Sequence, residues 1–145
     1  MTNDVHEAQR EIIDEFSLFD DWMGRYEHLI DLGKELPVFP EEWRTDENRI
    51  RGCQSQVWFH TELKDGRMQF QGISDAAIVS GLIAVLMKVY GNREPRDILD
   101  SNPGFISEIG FDEHLSPTRS NGLHAMLAAL HARAKRYAGE TAEAT

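Results

Sequence analysis

Two segments with a strand-like pattern flank a tight turn signal near the middle of the chain. In residues 57–63 and again in residues 68–73, apolar and polar side chains alternate, which is the period of a half-buried β-strand. Asp65-Gly66 lies between the segments and has the chemistry of a two-residue hairpin turn. A further short strand over residues 49–51 is predicted to pair beside the hairpin. The chain therefore contains a small antiparallel sheet of about three strands.

Helical periodicity marks the chain before the hairpin. Apolar residues there recur every three or four positions with Asp and Glu between them, as in amphipathic helices. A break near residues 19–21 divides this part into two helices, and Asp20 or Asp21 can accept the free amide hydrogens at the start of the second. Gly33 is predicted to end that helix in the left-handed conformation.

A central helix is predicted directly after the hairpin. Ser74 is a candidate cap for a helix over residues 75–90, which Gly91 ends. Its small residues, among them Ala76, Ala77 and Gly81, allow close packing against a sheet or another helix. This segment is therefore the predicted core helix.

The remaining third of the sequence is also helical in pattern. Pro95 suits the first turn of a short helix, and residues 102–104, Asn-Pro-Gly, separate it from a second short helix. A long helix is predicted from Ser116-Pro117 to Tyr137. Apolar residues occupy one face of it, namely Leu123, Met126, Leu127, Leu130 and Ala134.

The chain is long enough for one domain with its own core. It has 145 residues, of which 41% are hydrophobic and 28% charged, as in ordinary globular proteins. We expect a single domain over residues 1–145 of class α+β, with a small antiparallel sheet packed by several helices. Residues 1–5 and 139–145 are expected to be frayed.

The charge of the chain excludes some function classes. The formal net charge is −10 and the isoelectric point is about 5.0, whereas nucleic-acid binding relies on Lys and Arg that neutralise phosphates. A partner protein with basic patches suits this surface better. The first residues show no basic stretch followed by an apolar one, and no apolar run is long enough to span a bilayer. We therefore expect a cytoplasmic protein without nucleic-acid or membrane partners.

The chain has one cysteine, Cys53, which follows Gly52 in a loop between polar residues. A lone cysteine cannot form an internal disulfide or supply a Cys-rich metal site. A free cysteine in a protein is most often a small buried hydrophobic residue. If Cys53 has chemistry, it acts as a one-sulfur nucleophile or acceptor. Arg51 and Arg119 are then candidates to stabilise its thiolate.

Other chemistries find less support in the sequence. A cysteine hydrolase needs a histidine within hydrogen-bond reach of the thiol, and His60, His114 and His124 are available for that role. The histidines show no ligand spacing for a metal site. No Gly-rich phosphate loop occurs. A hydrolase is kept as an alternative, and no metal is expected.

Three blocks of the sequence resemble the SufE family of sulfur acceptors, which includes its CsdE paralogues. They are residues 52–58, residues 74–79 together with 81–85, and residues 115–123, in the same order as in the family. The resemblance extends from about Trp22 through the final helix. It implies a SufE-like α+β fold, similar to the iron–sulfur scaffold proteins of the IscU type.

The resemblance also implies a function. In that family the loop cysteine, here Cys53, takes sulfane sulfur from the persulfide of a pyridoxal-phosphate-dependent cysteine desulfurase, SufS-like or CsdA-like. It passes the sulfur to a downstream iron–sulfur scaffold and raises the turnover of the desulfurase. The cofactor belongs to the desulfurase, so this chain is expected to bind none and to carry only a transient persulfide. Some related proteins are homodimers, which leaves a homodimer open here.

Residues around the cysteine take their implied roles from the same resemblance. The acceptor loop or partner surface comprises Arg51, Gly52, Gln54, Ser55, Asp75 and Arg119. Gly52 is the implied hinge of a loop that hides Cys53 in an apolar hollow and extends it to the partner. A noncatalytic regulator that binds the desulfurase remains an alternative, as does the choice between SufE-like and CsdE-like partners.

Overall fold

The computed structural model describes residues 4–53 and 55–144. Seven α-helices, one 3₁₀ turn and one hairpin make up the described chain. In chain order they are α1 (Asp4–Ser17), α2 (Trp22–Lys34), a 3₁₀ turn (Glu41–Trp43), β1 (Val57–Lys64), β2 (Arg67–Ser74), α3 (Ala77–Tyr90), α4 (Pro95–Leu99), α5 (Phe105–Ile109), α6 (Phe111–His114) and α7 (Pro117–Ala144). The predicted α+β class with a small antiparallel sheet is confirmed.

The hairpin has the predicted position and turn. β1 pairs antiparallel with β2, from Val57 opposite Ser74 to Lys64 opposite Arg67. Asp65 and Gly66 both have positive φ, 53° and 78°, as a turn that matches the right-handed twist of a hairpin requires. The two-residue loop therefore fixes the register of the sheet.

The sheet has two strands among the described residues, and the third strand predicted over residues 49–51 is wrong. Arg49 forms only an isolated bridge to Trp58. The backbone does follow β1 for a short distance, because Phe59 N–H donates to Asn48 O and Ile50 N–H to Val57 O. It then turns away at Gly52, whose φ of 91° is incompatible with a strand. This turn leads the chain to Cys53.

The start of α2 was predicted correctly, whereas its end was not. Asp21 caps the helix, since its Oδ1 accepts the N–H of Gly24 at 2.8 Å. The helix continues to Lys34 and caps at Glu35 with φ −89°, so Gly33 does not end it. A Cβ at Gly33 would lie 2.8 Å from the backbone nitrogen of Gly81 in α3. Close helix packing, rather than a left-handed cap, requires this glycine.

The central helix begins two residues later than predicted. α3 starts at Ala77, with Ala76 as its extended N-cap residue, and Ser74 Oγ accepts the N–H of Ala76 without capping the helix itself. Asp75 therefore lies outside the helix, where its carboxylate is available to another segment. The predicted core position of α3 is confirmed, since it packs against α1, α2, β2 and α7.

The two ends of the described chain are helical. The predicted fraying is wrong for Asp4 and Val5, because α1 includes both and Val5 is fully buried. α7 continues through Ala144, beyond its predicted end at Tyr137. Its predicted apolar face is confirmed by the burial of Leu123, Met126, Leu127, Leu130 and Ala134. The predicted ends also include residues 1–3 and 145, which lie outside the described residues.

None of the helices within residues 4–53 and 55–144 is both long and apolar enough to cross a membrane.

Candidate functional site

The backbone places Cys53 against the first turns of α7. Gly52 has φ 91°, a conformation that an L-residue adopts at a cost. A Cβ at Gly52 would lie 3.2 Å from the Cβ of Ala125 in α7. Ile50 is buried and anchors the preceding turn. The glycine thus lets the loop turn sharply and approach the helix.

Cys53 lines a hollow of about 560 Å³ with both apolar and polar walls, which we call the Cys53 hollow. The thiol is half-buried, and its S–H donates to the carbonyl of Gly122 at an Sγ–O distance of 3.7 Å. A Cβ at Gly122 would lie 3.6 Å from Sγ, so glycine keeps the space beside the sulfur open. The other lining residues are Ser55, Ala76, Ala77, Ile78, Val79, Leu82, Ser116, Thr118, Arg119, Leu123 and Met126.

Burial raises the pKa of the Cys53 thiol above its ordinary value, because the thiolate is less well solvated there. The predicted arginine stabilisers do not offset this effect. Arg51 is exposed and does not line the hollow, and Arg119 lines it with an exposed side chain. Within the described part of the chain, desolvation is the only cause of the shift. Burial therefore favours the protonated thiol over the thiolate in the isolated protein.

The raised pKa predicts a distinct pH dependence for alkylation of Cys53. Because the thiolate is the reactive form, the rate for the folded protein should keep rising with pH after the rate for the urea-unfolded chain has levelled off. Iodoacetamide labelling across a pH series, followed by mass spectrometry, measures both rates. A folded-state profile that levels off at the same pH as the unfolded one contradicts the burial of this thiol.

Asp75 closes the loop that carries the cysteine. Its Oδ1 accepts the N–H of Gln56 at 3.0 Å, and its own N–H donates to the carbonyl of Gln56 at 3.3 Å. The pair joins the start of β1 to the end of β2 just beyond the hairpin register. Asp75 was predicted at the acceptor loop or partner surface. The structure gives it a contact that holds the loop in place.

Loss of this carboxylate should loosen the loop. We expect Asp75→Ala to raise the alkylation rate of Cys53 about fivefold, since one charge-assisted hydrogen bond at an exposed position is worth roughly 1 kcal/mol. Asp75→Asn keeps an oxygen that can accept the Gln56 N–H and serves as the matched control, with a smaller effect. Equal rates in Asp75→Ala and wild type would show that this contact does not restrain Cys53.

The other predicted loop residues divide between the two sides of the site. Ser55 is half-buried and lines the Cys53 hollow. Arg119 belongs to the first turn of α7, where its N–H donates to Ser116 Oγ at 3.3 Å. Gln54 lies outside the described residues. The hollow therefore unites Cys53, Ser55 and Arg119, whereas Arg51 stays apart from it.

The histidines do not support a cysteine hydrolase. His60 stacks on Trp43 and pairs with Glu62, and His124 pairs with Asp112. His114 packs edge-on against Trp22. Among the described residues, the hydrogen-bond partner of the Cys53 thiol is a backbone carbonyl, and no histidine lines the hollow. The general base that a hydrolase needs is missing from this part of the chain.

Several residues of the site were not singled out from the sequence. Gly122, Leu82 and Met126 line the Cys53 hollow from two helices distant in sequence, and Gly122 contacts the sulfur. Gly122 belongs to the third block that resembles SufE, and that block was the available signal. The sequence pattern predicts that Leu82 and Met126 belong to core helices, and both side chains are buried. Their second role as walls of the hollow follows only from the packing of α3 against α7.

The fold and the site define a class: a small α+β domain that holds one thiol in the wall of a hollow, with open space beside the sulfur. Comparison with known proteins agrees with this class. Residues 10–134 match the SufE family model, described as an Fe-S metabolism associated domain. The chain belongs to the SufE family.

This chain spans most of the length of the similar proteins. An uncharacterized SufE-like protein of Rhizobium etli is 44% identical over 131 residues, which is 86% of this chain and 88% of that protein. Another from Rhizobium meliloti is 42% identical over 123 residues, 81% of this chain and 87% of that protein. The solution structure of a hypothetical protein from Thermus thermophilus has a TM-score of 0.76 at 21% identity, covering 91% of this chain and 96% of that one. That structure supports the fold.

Proposed function

We propose that this protein accepts sulfane sulfur on Cys53 from the persulfide of a cysteine desulfurase and delivers it to an iron–sulfur scaffold. The observation that carries the proposal is the position of the single thiol of a SufE family chain, at the edge of a hollow with room beside Sγ. The description of the family as associated with Fe-S metabolism supports the destination of the sulfur. The partner enzyme is SufS-like or CsdA-like and brings its own pyridoxal phosphate.

The transfer is a thiol exchange at sulfur. The Cys53 thiolate attacks the outer sulfur of the donor persulfide, a new S–S bond forms on Cys53, and the donor S–S bond breaks to leave the desulfurase thiolate. The proton of the Cys53 thiol passes to that leaving thiolate or to solvent. One S–S bond replaces another, so the step needs no outside oxidant or reductant. Clearing the persulfide frees the desulfurase for another turnover, which is how this protein stimulates it.

The state of the isolated site fits a carrier that is inactive until its partner docks. The pKa of Cys53 is raised by burial, which keeps the thiol poorly reactive in the free protein. Docking moves the loop at Gly52 and exposes the sulfur to the donor. Alkylation of Cys53 should therefore become faster when the desulfurase is added, and an unchanged rate would count against loop movement.

The surface beside the hollow is the proposed docking face. Asp75 is near the loop and accepts a hydrogen bond from Gln56, whereas Arg119 lines the Cys53 hollow. The net charge of −10 favours approach to a basic patch on the desulfurase. The reaction belongs in a reducing cytoplasm, where a lone thiol stays free between turnovers. The protein uses no cofactor of its own.

Intact and peptide mass spectrometry tests the acceptor role. The protein is incubated with an active SufS-like or CsdA-like desulfurase and cysteine without added reductant. We expect the mass of one or more sulfur atoms to be added to the peptide that contains Cys53. Stimulated desulfurase turnover without any added sulfur would instead identify a noncatalytic regulator.

A further inference from the structure

A half-buried arginine in α7, Arg133, lies remote from the cysteine and forms no ion pair with a carboxylate among the described residues. Arg133 Nη1 donates to the carbonyl of Phe59 at 2.8 Å and to Thr61 Oγ1 at 3.5 Å, and Nη2 donates to the carbonyl of Glu47 at 3.4 Å. All three acceptors are neutral. They satisfy part of the guanidinium fork, and none of them supplies a negative charge. A partly desolvated charge without a partner is unfavourable.

A second arginine follows one helical turn later. Arg136 Nη2 donates to the hydroxyl of Tyr137 at 3.3 Å, and its guanidinium lies over the ring of that residue. Among the described residues, neither Arg133 nor Arg136 forms an ion pair with a carboxylate. Burial lowers the pKa of Arg133 and the charge of Arg136 lowers it further, against an opposing effect of Tyr137. Two arginines that form no ion pair with a described carboxylate thus lie together in a chain of net charge −10.

Both arginines face a hollow of about 360 Å³, which we call the arginine hollow. Thr45 and Asn48 line it with polar groups, and the Thr45 oxygen already accepts the N–H of Asn48, so the Thr45 hydroxyl hydrogen is available to donate. His60 forms another wall, fixed by its stacking on Trp43 at a ring distance of 3.7 Å. Glu47 also lines the hollow, with an exposed side chain.

We propose that the arginine hollow binds the phosphate group of a small molecule or inorganic phosphate. Two guanidinium groups offer N–H donors to several oxygens at once, and their combined charge matches a phosphate dianion better than a carboxylate. The Thr45 hydroxyl adds a neutral donor. The hollow is distinct from the Cys53 hollow, because Arg133 lies roughly 16 Å along α7 from Gly122 at 1.5 Å per residue. The proposal is therefore independent of sulfur transfer.

Titration of the ¹⁵N-labelled protein with inorganic phosphate tests this site, with chloride used to hold the ionic strength constant. We expect saturable shifts in the amide signals of Thr45, Asn48 and Thr61. Arg136→Gln should weaken binding about tenfold, the effect of losing one charge-assisted contact. Lys135→Gln is the matched control, since it removes the same charge from an exposed neighbour that does not line the hollow, and binding should stay within about twofold.

A second variant and two further ligands sharpen the result. Arg133→Lys keeps the charge and removes the planar fork, so phosphate binding should again weaken about tenfold. A thermal melt of Arg133→Lys shows whether weaker hydrogen bonding to Phe59 and Thr61 of β1 destabilises the fold. Glycerol phosphate compared with inorganic phosphate identifies the preferred source of the group. Acetate should bind at least about tenfold more weakly than phosphate.

Three results would overturn the assignment. One is the absence of saturation with phosphate up to roughly 50 mM, because the affinity would then be far weaker than that of an ordinary small-ligand site. Another is equal weakening by Lys135→Gln and Arg136→Gln, which would mean general charge attraction. The third is acetate affinity equal to that of phosphate, which would make the hollow a carboxylate site.

Discussion

Cys53→Ser should abolish both sulfur uptake by this protein and its stimulation of the desulfurase. Serine keeps the size and position of the side chain but cannot form a persulfide, and its hydroxyl is a far weaker nucleophile than a thiolate at neutral pH. Mass spectrometry of the variant after incubation with desulfurase and cysteine measures uptake. Desulfurase turnover with and without the variant measures stimulation, and both should fall to background.

The fold of the variant can be checked independently of its chemistry. Cys53 is half-buried at the edge of the hollow, so replacing sulfur with oxygen should leave the thermal midpoint within a few degrees of wild type. Retained binding to the desulfurase, measured by calorimetry, shows that the docking face is intact. Full stimulation by a correctly folded Cys53→Ser protein would contradict the carrier mechanism. The protein would then be a regulator that stimulates the desulfurase by binding alone.

Among glycine-to-alanine substitutions in the described core, Gly81→Ala should cause the largest loss of stability. A Cβ at this position would lie 2.2 Å from the carbonyl oxygen and 2.6 Å from the carbonyl carbon of Leu29 in α2. These are backbone atoms, so relief requires that α2 and α3 move apart, and they form an extensive contact at the centre of the fold. We expect a loss of about 3 kcal/mol in unfolding free energy. For a domain of this size the thermal midpoint should fall by roughly 10 °C.

Gly139→Ala provides the matched control for that substitution. Gly139 is an exposed residue of α7, and a Cβ there would meet no described atom within 4 Å. The same methyl group should therefore stabilise the protein by up to about 1 kcal/mol through helix propensity. Chemical denaturation of both variants compares the two effects. A Gly81→Ala protein as stable as wild type would contradict the close crossing of α2 and α3.

The shape of the Cys53 hollow and the packing of the core are connected through α3. The N-terminal half of α3 supplies Ala77, Ile78, Val79 and Leu82 to the Cys53 hollow, and the same part of the helix packs against Leu29 of α2 at Gly81. A shift of α3 away from α2 would therefore reshape the hollow as well as the core. The Gly81→Ala protein should be compared with wild type in the alkylation assay only below its unfolding transition.

Local signals were sufficient for much of the fold. The alternating pattern and Asp65-Gly66 specified the hairpin, because a two-residue turn and a two-residue period act within a few positions. Asp21 marked the start of α2 for the same reason. Gly33 was misassigned because a glycine can serve either a helix end or a close contact. Only the position of Gly81 in space distinguishes the two.

Local patterns and short ordered blocks of the sequence specify the α+β class, the family and Cys53 as the one candidate thiol. The environment of that thiol depends instead on how distant segments pack together. Gly122 of α7 contacts the sulfur, Met126 of α7 lines the same hollow, and residues of α3 form another wall. Burial then raises the pKa of Cys53, and Arg51 remains outside. Desolvation and hydrogen bonding depend on distances between segments remote along the chain, and those distances are set by packing.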